Sequence, residues 1–433
     1  MRATNRAPTA VTLIAFAAAL IVSNPLAALP SGLHAPPPEI DDVRRDYLDA
    51  ILAPISQLAD FSPVVEESFT SGRRVSIGTE ANDEFRYIFF VPELEGAFPL
   101  WSAGTYIVRR RRSDGEIDQL KIFLRNDPGF FVRIRPESGR ASMSVFIAGV
   151  ELHRSIPLPI PVDDLLAESF SRIVELTERR VDWGSTVYPR VDVGEYRDVA
   201  LMASRARSML HTLPDADDGA MDASGNLVFI ESLVLQDQEP GFNCSGFAKW
   251  IVDGLHMGLY GSFLPIEPLK VKHLDLRGHR WSDALEDERD PYFGLDWTRN
   301  LATAMLSAGQ GGRDVHPEAA DVRSVKYHRY VEDVGYPVAR LEQIMYLLAV
   351  GEPGHFYIAS LNREFGDDPP LHQHVHVAVL FPYLGEGGRF SVDVLERNVE
   401  TSIESLNRRY GNDDIHLVRV RADQAYTPPV IRN

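Results

Sequence analysis

A series of short segments in which polar and apolar residues alternate constrains the fold of this chain more than any other feature. The segments begin at Phe85, Gly104, Gln119, Gly129 and Ser142, and Gly, Asp, Asn and Pro separate them. Alternation with period two puts one set of side chains in a core and the other in solvent, and closely spaced turns favour antiparallel neighbours. The sequence therefore predicts an antiparallel all-β domain, a sandwich or a barrel, over residues 74–160.

The 433-residue chain is too long for one core, so we expect two or three domains. Before the β-domain, residues 36–73 predict a linker helix that follows three consecutive prolines. After it, residues 161–213 predict a helical connector. Residues 214–433 predict a C-terminal domain of helices and antiparallel strands, with an insertion at about residues 262–335. The predicted fold class is α+β.

The N-terminal residues 1–28 are typical of a signal peptide. Arg2 and Arg6 precede an apolar run that is too short for a membrane span, and small residues follow it. We therefore expect a periplasmic or secreted protein of the cell envelope, without a stable membrane span once the signal is cleaved. The net charge of −18 argues against nucleic acid as a partner, because a polyanion would be repelled. The oligomeric state stays open.

The chain contains one cysteine, Cys244, in the segment Gly241-Phe-Asn-Cys-Ser-Gly-Phe. Phe247, Ile251 and Leu255 recur every four residues behind it, which predicts a helix that begins at Cys244 with Asn243 as its cap. Unpaired backbone N–H groups and the helix dipole stabilise a thiolate at such a position. A lone thiol is a liability in an oxidising compartment. The sequence therefore favours a reactive nucleophile over a small buried hydrophobe.

A nucleophilic thiol needs a base, and the base is usually oriented by a third polar group. His372, His374 and His376 alternate along one predicted strand, so we expect all three on one face. Asp393 lies on the following predicted strand, Arg389–Leu395, where it could stand beside an imidazole. The pattern predicts a base and its orienting carboxylate on adjacent antiparallel strands.

Three motifs stand out in the C-terminal part: Cys244-Ser-Gly-Phe at a helix start, Gly354-His-Phe-Tyr-Ile-Ala, and His376-Val-Ala-Val-Leu-Phe. They resemble motifs of the NlpC-type (NlpC and p-sixty) cell-wall cysteine peptidases. The resemblance implies a papain-like C-terminal domain with a Cys-bearing helix and an antiparallel sheet. Two positions depart from the family pattern, since Asn243 stands where the family has Asp, and His355 replaces the Asp of the family's strand.

The resemblance also implies roles for individual residues. Cys244 is the nucleophile, His376 exchanges the proton with the leaving group, and Asp393 fixes the imidazole. Gln238, six residues before Cys244, has the offset of the oxyanion-stabilising Gln of papain-like enzymes. Flanking polar residues are predicted to contribute to binding: His374, Asn243 and Ser245. Neither a metal nor a cofactor is expected.

The function predicted is that of an exported hydrolase, a thiol protease or amidase that acts by acyl transfer on amide bonds. The resemblance implies peptidoglycan stem peptides as the substrate. One alternative is a zinc-dependent hydrolase in which the three histidines bind the metal together with Asp367, Asp368 or Asp393. That alternative leaves Cys244 unexplained. Another is a non-catalytic binding or structural protein of the envelope.

Overall fold

The structure is a computed structural model that describes residues 36–431 except 190–191, 279–280, 282–293, 369 and 386–388. The predicted signal peptide, residues 1–28, lies outside the described residues. Within the described ranges, none of the helices combines the length and the apolar character needed to cross a bilayer.

The fold is mixed α+β and contains two large antiparallel sheets. The N-terminal sheet has eight strands in chain order, so every strand pairs with its neighbours in the sequence. These strands are β1 (Val64–Glu67), β2 (Arg74–Ala81), β3 (Phe85–Pro92), β4 (Tyr106–Arg111), β5 (Ile117–Phe123), β6 (Phe131–Glu137), β7 (Arg140–Ile147) and β8 (Val150–Leu158). The five alternating segments of the sequence correspond to β3–β7.

The N-terminal sheet differs from the predicted sandwich or barrel. It is one sheet, and among the described residues β1 and β8 do not pair. The physical reason is the length of the connections. Six of the seven connections have seven residues or fewer, and such turns make a strand pair with the strand that follows it, whereas a two-sheet sandwich needs longer connections that cross between sheets.

Helical segments lie before and after this sheet in the sequence, and hydrogen bonds join them. The predicted linker helix is broken into α1 (Asp41–Asp46) and α2 (Leu48–Leu52), and α3 (Val162–Leu165) and α4 (Phe170–Thr177) follow the sheet. The buried Arg44 guanidinium donates to the carbonyl oxygens of Leu166 and Glu168. The Glu39 carboxylate accepts the Phe170 N–H at the start of α4, at 2.8 Å. The two flanking segments are therefore part of one unit with the sheet.

The remaining helices lie in the C-terminal part. They are α5 (Arg197–Met209), α6 (Cys244–Tyr260), α7 (Gly294–Gly309), α8 (Leu341–Gly351) and α9 (Ile403–Tyr410). Single turns of other helix types are Gln57–Asp60, Trp183–Val187, Val193–Tyr196, Leu210–Thr212, Glu267–Lys270, Leu274–Leu276, Pro317–Ala320 and Val338–Arg340.

The second large sheet has six strands in the order β11-β16-β12-β13-β14-β15. Its strands are β11 (Tyr336–Pro337), β12 (His355–Phe365), β13 (Leu371–Leu384), β14 (Phe390–Glu396), β15 (Val399–Thr401) and β16 (Asp414–Arg421). A two-stranded hairpin, β9 (Ala220–Met221) with β10 (Leu227–Val228), precedes the helix of Cys244. The order places β13, which carries the three histidines, in the interior of the sheet.

The six-stranded sheet has a hydrophobic core on each face. Helices α5, α6 and α7 cover one face, around the buried Trp250 and Trp297. On the other face α8 packs in a core that continues into the eight-stranded sheet. Trp297 and Leu301 of α7 are almost fully buried, although they belong to the segment predicted as an insertion. That segment thus supplies a core helix that packs against α6.

A β-bulge interrupts the pairing of β12 with β13 beside the histidines. Leu361 pairs with His376 and the next residue, Asn362, pairs with His374, so Val375 has no partner on β12. Directly opposite residues share a face, and consecutive residues of a strand point to opposite faces. The bulge therefore places His374 on the face of α6 and His376 on the other face.

Candidate active site

Helix α6 begins at Cys244, as the sequence predicts, and its start is tightly held. The Asn243 side chain caps the helix by accepting the Gly246 N–H at 2.8 Å. The Trp297 indole N–H donates to the Ser245 carbonyl at 3.0 Å. A Cβ at Gly246 would overlap the Gly219 carbonyl, so only glycine lets the hairpin loop approach this turn. These contacts fix the position of Cys244.

The start of α6 provides an environment suited to negative charge. Cys244 is half-buried. Within the described part of the chain, the backbone N–H groups of Cys244 and Ser245 have no hydrogen-bond partner. The first N–H groups of a helix lack intrahelical acceptors and carry the positive end of its dipole. They are therefore available to an anion that forms beside the thiol.

Two imidazoles interact with the Cys244 thiol. In the described residues β14 pairs with β13 only between Val379 and Leu384, so the edge of β13 at the bulge is open to α6. At this edge a thiol can reach side chains on both faces of the strand. Burial raises the pKa of Cys244, but hydrogen bonds and charge interactions with His374 and His376 outweigh it and hold the pKa well below its ordinary value. The thiolate is the favoured form.

The His376 imidazole has a charged partner on its far side. Its Nε2 lies 2.7 Å from Oε2 of Glu396, a carboxylate that is almost fully buried at the end of β14. Thr401 and Arg409 also donate to Glu396, the latter at 2.5 Å. The Tyr410 ring stacks on the imidazole with centroids 6.0 Å apart. The ring orientation is thus fixed by Glu396 and Tyr410.

This arrangement favours the charged forms of both His376 and Glu396. Burial lowers the pKa of His376, but hydrogen bonds to Cys244 and Glu396 outweigh it and raise the pKa to about 9. Burial raises the pKa of Glu396, but hydrogen bonds from His376 and Arg409 lower it to about 2. Because Nε2 is engaged by Glu396, Nδ1 of His376 is the nitrogen left for proton exchange with the thiol.

The His374 imidazole instead contacts a series of hydrogen-bonded, uncharged groups. Its Nδ1 lies 2.7 Å from the Ser360 hydroxyl, which donates to the Asn362 side-chain oxygen at 3.1 Å. The Asn362 amide group donates in turn to the Val334 carbonyl at 3.0 Å, which fixes the amide orientation. The single Ser360 proton goes to Asn362, so His374 Nδ1 must donate to Ser360.

Helix α7 closes over this second imidazole. A Cβ on Gly294, the first residue of α7, would overlap the His374 ring. His374, Ser360 and Asn362 are all buried. His374, Ser360 and Asn362 are therefore enclosed, and the close approach of α7 to the His374 ring requires glycine at position 294.

Asp393 does not lie beside an imidazole, contrary to the sequence-based expectation. It pairs across the sheet with Phe381 and forms an ion pair with Arg207 of α5 at 2.8 Å. Glu396 takes the place expected for Asp393. Residues 393 and 396 are three apart and point to opposite faces of β14, and the bulge puts His376 on the face of Glu396.

Gln238 does not occupy the position expected of an oxyanion donor either. Its side chain is exposed. The buried glutamine of this segment is Gln236, which accepts the Gly241 N–H and donates to the Asp218 carbonyl, both at 2.6 Å. Gln236 therefore stabilises the loop that precedes α6.

The three histidines do not share one face, so this expectation from the alternation is wrong. His372 lies on the side of His374, where it contacts Trp281 and has Glu364 at 3.6 Å. The bulge separates His376 from both. Among the described residues, no group of three or more His, Cys, Asp or Glu is arranged to hold a metal ion.

Glu396, Ser360 and Asn362 are the site residues that the sequence analysis missed. Glu396 closes the segment predicted as the last apolar strand, and a charged residue that ends such a strand is the signal that could have drawn attention to it. Ser360 and Asn362 alternate in the strand after Gly354, so their polar face was visible in the sequence. Their partner was not, because it depends on the register.

Comparison with known proteins reaches only the N-terminal part. A family model described as a domain of unknown function (DUF8515) matches residues 35–185. No curated protein and no solved structure matches the chain. The matched stretch contains α1–α4 and the whole eight-stranded sheet, in agreement with the contacts that join them. It ends before Cys244.

Proposed function

We propose that this protein is a cysteine hydrolase that cleaves amide bonds by acyl transfer, with Cys244, His376 and Glu396 as its catalytic group. One observation carries the proposal. A half-buried thiol at a helix N-terminus has its pKa lowered by an imidazole, His376, whose Nε2 lies 2.7 Å from a buried carboxylate. Nucleophile, base and orienting group in this order are what thiol-dependent acyl transfer requires.

In the first half-reaction the Cys244 thiolate attacks the carbonyl carbon of the amide. The oxygen that becomes negative is stabilised by the free N–H groups of Cys244 and Ser245. When the C–N bond breaks, the His376 imidazolium gives its Nδ1 proton to the leaving amine. A thioester on Cys244 and a neutral imidazole remain.

In the second half-reaction His376 accepts a proton from water as the water oxygen attacks the thioester carbonyl. The C–S bond breaks, the carboxylic acid product leaves, and the thiolate–imidazolium pair is restored. Glu396 stabilises the imidazolium in both halves because it carries the opposite charge. His374 is a positioning residue, since its interaction with the Cys244 side chain helps to hold the sulfur in the line of attack.

For the substrate we propose peptide amides, with peptidoglycan stem peptides as the specific class. The support is the resemblance of the Cys244 and His376 segments to NlpC-type peptidases, together with the signal-peptide pattern at the N-terminus. The helix-borne cysteine and the antiparallel sheet are consistent with a papain-like domain. Replacement of the expected aspartate by Glu396 lengthens the side chain by one methylene without changing its charge.

The test is digestion of defined muropeptides, followed by mass spectrometry. Wild type should release peptide fragments, and Cys244→Ala should release none, because the only nucleophile is absent. Cys244→Ala removes a single sulfur, so its circular dichroism spectrum and melting temperature should stay close to those of wild type. Equal turnover by both proteins would refute the proposal. An inert wild type whose thiol has an ordinary pKa would support the non-catalytic alternative.

A further inference from the structure

The outer face of the eight-stranded sheet carries a group of cations that the proposed chemistry does not use. Lys121 pairs with Arg133 across β5 and β6, and Arg133 pairs with Ser144 of β7. Arg135 pairs with Ser142, so it lies on the same face. The side chains of Leu120, Val132 and Ile134 alternate with these and enter the core. The charge thus accumulates on one face of an otherwise acidic protein.

Aromatic rings hold these cations in place. The Lys121 ammonium lies 4.4 Å from the ring centroid of Phe123 and 3.8 Å from that of Phe131. The Arg133 guanidinium lies 4.7 Å from the centroid of Phe146, which stacks on Phe131 at 4.4 Å. Cations over aromatic faces are attracted to the ring quadrupole. The rings therefore preorganise the cations.

Like charges are held close together here with little compensation. Burial lowers the pKa of Lys121, and the neighbouring Arg133 lowers it further. Glu151 is the carboxylate of this group, at 3.3 Å from Arg133 and 2.7 Å from Arg154. Adjacent like charges across a strand pair destabilise a sheet unless an anion neutralises them. The arrangement indicates a place for an additional anion.

A pocket of about 260 Å³ opens beside these cations. It is lined by Arg133, Arg135, Ser142, Ser144, Glu151, Arg154 and Ser155. The pairing of β7 with β8 is irregular on both sides of Val145, and Ser155 has a φ of 49°, in the left-handed region. Bulges and backbone strain in non-glycine residues are concentrated at functional sites.

We propose that this pocket binds the phosphate group of a phosphate ester. Three guanidinium groups and three hydroxyls supply more donors than the two oxygens of a carboxylate can accept, whereas a phosphate presents three acceptor oxygens with up to two charges. Arginine forks match phosphate oxygens in pairs. Glu151 also lines the pocket, where it orients Arg133 and Arg154 and repels the bound anion to some extent.

The test titrates the full chain with inorganic phosphate and with glycerol 3-phosphate, and follows binding by calorimetry. The double variant Arg135→Gln/Arg154→Gln should weaken binding at least about tenfold, because it removes two charge-assisted contacts. Glu151→Gln should strengthen binding several-fold, since it removes the repulsion. Arg140→Gln, an exposed substitution on the same sheet outside the pocket, is the matched control and should change nothing.

A second arm identifies the source of the phosphate. Sedimentation with phosphatidylglycerol vesicles that is lost in the double variant would support the proposal with a lipid headgroup as the ligand. Binding of the soluble ester without vesicle binding would support it with a soluble ester. Absence of binding in both arms, or binding that the double variant leaves unchanged, would refute it. Neither arm measures hydrolysis, so the result is independent of the function proposed for Cys244.

Discussion

The two sides of the Cys244 thiol are built from different chemistry. On one side His376 is backed by the charged Glu396, which Arg409 and Thr401 also contact. On the other side His374 is backed by Ser360 and Asn362, which are neutral and buried. A buried carboxylate stabilises an imidazolium, whereas a hydroxyl–amide chain only fixes a tautomer. Two histidines beside one thiol can therefore have different roles, His376 in proton exchange and His374 in positioning.

Replacing the two histidines separately should give the largest contrast. His376→Ala is expected to lower the rate of amide cleavage by about a thousandfold, because general acid–base catalysis contributes on the order of 10²- to 10⁴-fold. His374→Ala is expected to lower it by about tenfold, through loss of a single interaction with the Cys244 side chain. Steady-state kinetics on a muropeptide measures both.

If His374→Ala lowered the rate more than His376→Ala, the base would be His374 and not His376. His372→Ala serves as the control for loss of an imidazole from β13. It lies on the side of His374 but contacts Trp281, so it should leave the kinetic constants close to those of wild type.

The two carboxylates of β14 give the next contrast. Glu396→Gln should reduce turnover by about a hundredfold, since the imidazolium loses its counter-charge while the side-chain shape is kept. Asp393→Asn is the matched control, and it breaks an ion pair with Arg207 on the opposite face. It should affect stability slightly and turnover little. If Asp393→Asn reduced turnover more than Glu396→Gln, Asp393 would be the carboxylate that orients the imidazole, as the sequence predicts.

The pH dependence of Cys244 alkylation and of turnover tests the thiolate–imidazolium pair of Cys244 and His376 directly. The lowered pKa of Cys244 means that thiolate persists well below the ordinary thiol pKa, so alkylation by iodoacetamide should be fast and nearly constant around neutral pH. In His376→Ala the alkylation rate should instead rise with pH towards the ordinary thiol value. Turnover of wild type should fall as pH rises through about 9, where the imidazolium loses the proton needed by the leaving amine. Similar alkylation profiles for the two proteins would contradict the ion pair.

The smallest effect on the rate is expected for a substitution beside His374. Ser360→Ala removes the acceptor of the His374 Nδ1 proton, at a cost of about 1 kcal/mol, which corresponds to about fivefold in rate. Its alkylation profile against pH should keep the shape of wild type. A change in that profile as large as the one caused by His376→Ala would show that both imidazoles stabilise the thiolate equally.

Much of the local structure could be predicted from the sequence. Period-two alternation predicts β3–β7, and the four-residue recurrence behind Cys244 predicts α6 with Asn243 as its cap. These patterns depend on residues that are neighbours in the chain, and the physical forces behind them act within one or two turns or strands. The fold class and the helix position of the thiol therefore follow from the sequence.

The tertiary structure alone decided which residues meet the thiol. The bulge at Val375 reverses the face of His376, and the register of β14 then selects Glu396 in place of Asp393. No local pattern marks Val375, because a bulge arises from the fit between two strands that are distant in the chain. The sequence alone predicts a candidate nucleophile and a set of candidate partners. The long-range pairing of strands determined which candidates lie beside it, since one residue of shift moves a side chain to the opposite face of the sheet.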